Sequence, residues 1–146
     1  MATSRVLVLV FSAAGILATF LPWVNAPIIG SIPGSAGDGW FTFGLFLIAM
    51  LFGIAGDRSR PLSTGALIGV NVVALLACAL GVWKILDFGL KMDEASGNAG
   101  GLGRAIIGTA SVGIGLHLVV GASVGVIVTS FIGPGAIKPD PAKGLA

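Results

Sequence analysis

The sequence predicts an all-α integral membrane protein: a four-helix bundle with both termini in the cytoplasm. Three observations carry that expectation. The 146 residues are 55% hydrophobic and 10% charged, with a mean hydropathy of +1.05, whereas soluble chains are about 25% charged. Four apolar runs approach or exceed the roughly 20 residues that cross a hydrocarbon layer. The few charges and the three tryptophans collect at the ends of those runs.

The first span is expected over about residues 6–24, from Val6 to Leu21 or Val24, where Pro22 and Trp23 end it. Arg5 followed by VLVLVFSAAGILATFL also has the look of a secretion signal, and VNA at 24–26 offers small residues for cleavage. Pro27 directly after disfavours that reading, so the segment is taken as a retained span. The second span covers 40–56, opening at Trp40 and running through FTFGLFLIAMLFGIA. The third, LSTGALIGVNVVALLACALGVW, covers 62–83. The fourth covers 105–132 and closes at Gly133-Pro134-Gly135, leaving 133–146 as a short cytoplasmic tail. Together they form a single transmembrane domain.

The connections differ in character. Residues 22–39, PWVNAPIIGSIPGSAGDG, read as a compact, turn-filled loop lying on the membrane surface. In residues 84–104, Ile85, Phe88 and Met92 fit one face of a short interfacial helix continuing from the third span. The following SGNAGGLG reads as a flexible hinge.

Charge sets the orientation. With both termini inside, the cytoplasmic side holds Arg5, Arg58, Arg60, Lys138 and Lys143 against Asp57 and Asp140, a net +3. The outer side holds Lys84, Lys91 and Arg104 against Asp38, Asp87, Asp93 and Glu94, a net −1. Positive residues favour the cytoplasmic face. Trp23, Trp40 and Trp83 then all fall at the outer interface, where indole rings act as anchors. No cluster of four Lys or Arg exists, so neither nucleic acid nor a polybasic lipid patch is expected. Cys78 is the only cysteine and reads as a small buried hydrophobe.

TFLPWV at the end of the first span, a short Gly/Pro-rich loop, and GDGW opening the second form a recognisable layout over roughly the first 55 residues. It resembles small four-span bacterial inner-membrane proteins, a group without an assigned function. The resemblance implies a bacterial inner-membrane location and supplies no catalytic or binding residues.

The residues permit little chemistry. No Asp, Glu, Lys or Arg lies within any of the four spans, which disfavours ion-coupled transport. No nucleophile–base set, metal-ligand spacing or phosphate-binding glycine loop is present, so no catalytic residue, metal or enzyme activity is expected. What the spans do carry is small-residue spacing. Gly65 and Gly69 begin a row continued by Ala77 and Gly81, and the second span has Ala49 and Gly53. Thr109, Gly113, His117, Gly121, Gly125 and Thr129 follow one another at intervals of four. Such rows let a neighbouring helix approach closely. Asn71 reads as an interhelical hydrogen-bonding residue, with His117 as a candidate partner.

His117 invites three readings, of which a contact to quinone or lipid is the third. The first is a neutral imidazole bonded to a neighbouring helix. The second is an axial ligand to haem or chlorin, with Gly113 and Gly121 clearing space for the ring one turn away on either side, as in antenna and b-type haem helices. Packing is preferred, and no cofactor is expected. The leading functional expectation is therefore a structural or accessory subunit that docks on other membrane subunits or on copies of itself, with membrane lipid as its surroundings. The alternatives are a pore or carrier for a neutral or lipidic solute near Asn71 and Ser123, and a haem- or chlorin-binding electron-transfer subunit using His117.

Overall fold

The computed structural model describes residues 3–26, 30–55, 60 and 62–132. The expected tail over 133–146, and Asp57 and Arg58 of the loop between the second and third spans, lie outside them. Among the described residues the elements run α1 (Thr3–Ala18), β1 (Pro22–Ala26), β2 (Gly30–Pro33), a 3-10 turn (Gly34–Ala36), α2 (Gly39–Ile54), α3 (Thr64–Asn98), α4 (Gly101–Ile107), β3 (Ser111–Val112) and α5 (Ile114–Ile132). The protein is mostly helical, but the all-α expectation is corrected by a small three-stranded sheet.

Four helices form the bundle. α1 packs on α2 and α5, and α3 packs on the same two, so the four close into a ring. Each neighbouring pair is fitted by a bulky side chain lying over a glycine. Phe46 of α2 covers Gly15 of α1, and Leu9 of α1 covers Gly53 of α2. Phe11 of α1 covers Gly125 of α5, Phe52 of α2 covers Gly69 of α3, and Val120 of α5 covers Gly81 of α3. Two apolar clusters result. Ala18, Trp23, Phe46, Ala77, Leu116 and Val119 fill the end nearer the sheet. Val8, Leu62, Val70, Ala74 and Val126 fill the opposite end. Hydroxyl residues share this interior: Ser12, Thr42 and Ser123 are fully or nearly fully buried.

The first helix stops at Ala18, short of the expected Leu21 or Val24. Its last turn tightens, with the amides of Thr19, Phe20 and Leu21 donating to the carbonyls three residues back at 3.0–3.3 Å. Pro22 explains the stop, because it lacks an N–H and disfavours helix in the residue before it. The expected surface loop is instead a hairpin. β1 and β2 pair antiparallel, with Val24 opposite Ile32 and a bulge at Trp23. Gly30 near the tip takes φ +85°, the left-handed region that glycine tolerates. β3 completes the sheet on the other edge of β1, with Val24 opposite Val112 and Asn25 opposite Ser111.

The third helix does not end at Trp83. It runs 35 residues to Asn98, starting from Ser63, whose hydroxyl caps the Ala66 amide. At 1.5 Å per residue it is about 52 Å long, so it overshoots the bundle. Helix over Ile85, Phe88 and Met92 agrees with expectation, while the glycine-rich stretch read as a hinge is helical up to Asn98 and again from Gly101. The fourth span is corrected too, since its helix begins at Ile114 and not Ala105. Residues 105–107 close α4, a turn follows at Gly108, and the strand β3 intervenes. The end of α1 and the starts of α2 and α5 thus lie at the sheet end. The start of α1 and the end of α5 lie at the other.

Candidate functional site

The sheet end carries the most elaborate arrangement of polar and aromatic side chains. It is organised around Trp23, at the bulge in β1. The indole folds back under the hairpin, 8% exposed, and donates from Nε1 to the Ala18 carbonyl at 3.1 Å. That carbonyl already accepts from the Leu21 amide in the tight last turn of α1, so the indole adds a second donor to it. Gly34 and Gly115 make the room: a β-carbon at either position would run into the indole ring. Trp23 also ties the sheet to α5, because its carbonyl accepts from the Gly113 amide at 2.7 Å. The expectation of Trp23 as an interface anchor is therefore corrected, since its ring is part of the core. Trp40 and Trp83 differ from it, being 59% and 61% exposed.

Asp38 precedes α2 but does not cap it with its side chain. It reaches across to Lys84 of α3 and accepts a charge-assisted hydrogen bond from Nζ. The same ammonium stands 5.6 Å from the centroid of the Trp83 ring, within cation–π range. Two helical turns further along α3, Lys91 donates to Asp87 at 2.7 Å. The Asp87 carboxylate, through that bond and its charge, holds the Lys91 ammonium above the ordinary lysine pKa. Three cavities open around this cluster, and Trp23 and Lys84 line all three. The largest, about 340 Å³, lies between α2 and α3, walled mainly by Trp23, Phe41, Leu80 and Trp83.

The opposite end is held by different chemistry. Arg5 is only 4% exposed. Its guanidinium donates to the carbonyls of Gly53 (3.1 Å), Ala55 (2.6 Å) and Arg60 (2.8 Å). A cation placed over the last carbonyls of α2 also meets the negative end of that helix's dipole. In the sequence Arg5 shows only a charge; its seat depends on carbonyls contributed by Gly53, Ala55 and Arg60.

The residues singled out from the sequence are not brought together. His117 lies in the first turn of α5 with its ring exposed, and Nδ1 is 3.1 Å from the Gly113 carbonyl. Asn71 does not meet it. Asn71 donates to the Leu67 carbonyl at 2.9 Å, and its Oδ1 accepts from the Ser130 hydroxyl at 2.9 Å. Ser130 is not among the expected partners, because the expected span bounds put it two residues from an inner end and Asn71 nine, so spacing alone does not pair them. Gly113 precedes α5 and is pressed against the Pro22 carbonyl, so it clears no space for a flat ring. Gly65 and Gly121 face open space, while Gly69 and Gly125 lie under phenylalanine rings. Cys78 is half-buried. Among the described residues no three His, Cys, Asp or Glu side chains gather in a form that could hold a metal ion.

The fold and site thus define a mostly helical protein, a four-helix ring closed at one end by a three-stranded sheet. No family model, curated protein or solved structure matches the chain.

Proposed function

We propose that the chain is a bacterial inner-membrane protein with both termini cytoplasmic, serving as a non-catalytic accessory subunit that packs against another membrane protein. One observation carries the membrane reading: large apolar side chains are not confined to the bundle interior. Val10, Leu17, Leu51, Ile68, Leu75 and Phe131 are among many turned outward. Soluble monomers rarely expose a contiguous apolar surface beyond a few hundred Å². α3 and α5 are long and apolar enough to cross a membrane, yet only 22% and 44% of their most apolar windows are buried. A helix serving as a soluble core would be mostly covered. α1 and α2, at 16 residues, rise about 24 Å each. The shortfall from a roughly 30 Å core is met by local thinning at a small cost per Å. Trp40 packs edge-on to Phe43, and Phe43 to Phe20, an aromatic group suited to the outer interface.

The docking reading rests on α5. Ile114, His117, Gly121, Val124, Val128 and Phe131 are all exposed and recur at alternating intervals of three and four. That spacing is a helix-packing seam with a notch at Gly121. Buried Val8, Phe46, Val70, Val119 and Val126 occupy the bundle interior, which favours a packing role over a solute path through a single chain.

The test is a photo-crosslinking residue placed at position 121, with another at exposed Val72 as control, in native membranes. A discrete adduct from 121 alone is expected, and purification in mild detergent should retain the same polypeptide. A monodisperse monomer with no adduct at 121 would overturn the subunit reading.

A further inference from the structure

We propose that the cavity between α2 and α3 is a binding site for one phospholipid with a primary-ammonium headgroup. The inference rests on the membrane reading above. Three features of the site argue for it.

The first is the division of the lining. Phe41, Leu80, Trp23 and Trp83 make an apolar trough of about 340 Å³, and its charges stand together as the Lys84–Asp38 pair. The hydroxyl of Thr42, also in the wall, is already committed to the Gly39 carbonyl at 2.7 Å. An amphiphile with a long apolar part and a charged end matches this division.

The second is level. Trp83 immediately precedes Lys84, and from there α3 changes from apolar residues to Asp87, Lys91, Asp93 and Glu94. The charge pair stands where hydrocarbon gives way to headgroups.

The third is sign. The site offers one cation beside one anion, and the adjoining cavity repeats the pattern with Lys91 and Asp87. A purely anionic headgroup would meet repulsion from both aspartates. A zwitterion meets complementary charge at both ends, its phosphate at Lys84 and its ammonium at Asp38. A primary ammonium also donates N–H bonds to the carboxylate, which a quaternary one does not do. The acyl chain then lies along Phe41 and Leu80, with its upper part against Trp23.

Tryptophan quenching tests this. Trp40→Phe removes the one tryptophan outside the cavity wall and leaves Trp23 and Trp83 of that wall as reporters. The full chain is placed in phosphatidylcholine bilayers doped with phosphatidylethanolamine brominated on its acyl chains. Quenching of this pair should correspond to about tenfold enrichment over the mole fraction added, as expected for one added charge-assisted bond. Asp38→Asn should abolish the enrichment, and brominated phosphatidylglycerol should show none. Quenching that simply tracks mole fraction, or that favours phosphatidylglycerol, overturns the site. Wild-type protein in fully brominated phosphatidylcholine separates the two failures. If exposed Trp40 and Trp83 are not quenched there, the membrane reading itself falls, and the site with it.

Discussion

The Phe46 ring of α2 occupies the place where a β-carbon on Gly15 of α1 would stand. The two residues are 31 positions apart in sequence and fix how closely their helices approach. Adding one methyl group at Gly15 forces the ring out of a closely filled position, and overpacking of this kind costs about 1–3 kcal/mol. Gly15→Ala should therefore lower stability in detergent unfolding by that order, as should Gly125→Ala beneath Phe11. Gly121→Ala faces open space and should instead gain up to about 1 kcal/mol from better helix propensity. Equal effects at 15 and 121 would contradict the ring-over-glycine packing.

Asn71 and Ser130 should show a measurable but small coupling. Interhelical hydrogen bonds in membrane bundles average about 0.6 kcal/mol in double-mutant cycles. Asn71→Ala and Ser130→Ala should couple at about that level, again by detergent unfolding. Neither should couple to His117→Ala, because the imidazole is exposed near the other end of α5.

Arg5 should be more sensitive than its terminal position suggests. Arg5→Gln removes donors from three carbonyls, and a buried group left without its partner costs about 1–3 kcal/mol. Arg5→Lys should recover only part of that loss, because one ammonium does not present the planar fork that spans three acceptors. Unfolding of the two variants side by side measures the difference.

Lys91 gives a pH prediction. Asp87 raises its pKa in the folded protein. The ion pair's contribution is thus present throughout neutral pH and, on the alkaline side, is lost as pH climbs through the raised value. In an NMR titration the Lys91 ammonium should deprotonate later than an ordinary lysine, and Asp87→Asn should bring it back. Because the side chain is exposed, little change in overall stability should accompany the shift.

The helices were legible because long apolar runs carry the signal on their own, and the run at 40–56 is helical over Gly39–Ile54. The sheet was not. Residues 22–33 lack alternating apolar and polar positions, and their ladder is completed by Ser111 and Val112, far away in the chain. Trp23 was misplaced for a related reason. A tryptophan at the end of an apolar run looks like an anchor, and only the early stop of α1, with space left by Gly34 and Gly115, folds its ring inward. The row of fours in the fourth span assumed one continuous helix, so it failed at Thr109 and Gly113, where the chain turns and pairs as a strand. At the candidate site, Asp38 and Lys84 were visible as charges. Their pairing across 46 residues was not.

The Arg5 cap also sets an order of events. Its guanidinium sits at the beginning of the chain, but the carbonyls it binds come 48, 50 and 55 residues later. During synthesis α1 therefore emerges with a cation that has no seat until α2 and the chain as far as Arg60 have been made. Locking of the first helix waits on completion of the second, so the two should assemble as a hairpin unit and α1 should not settle alone.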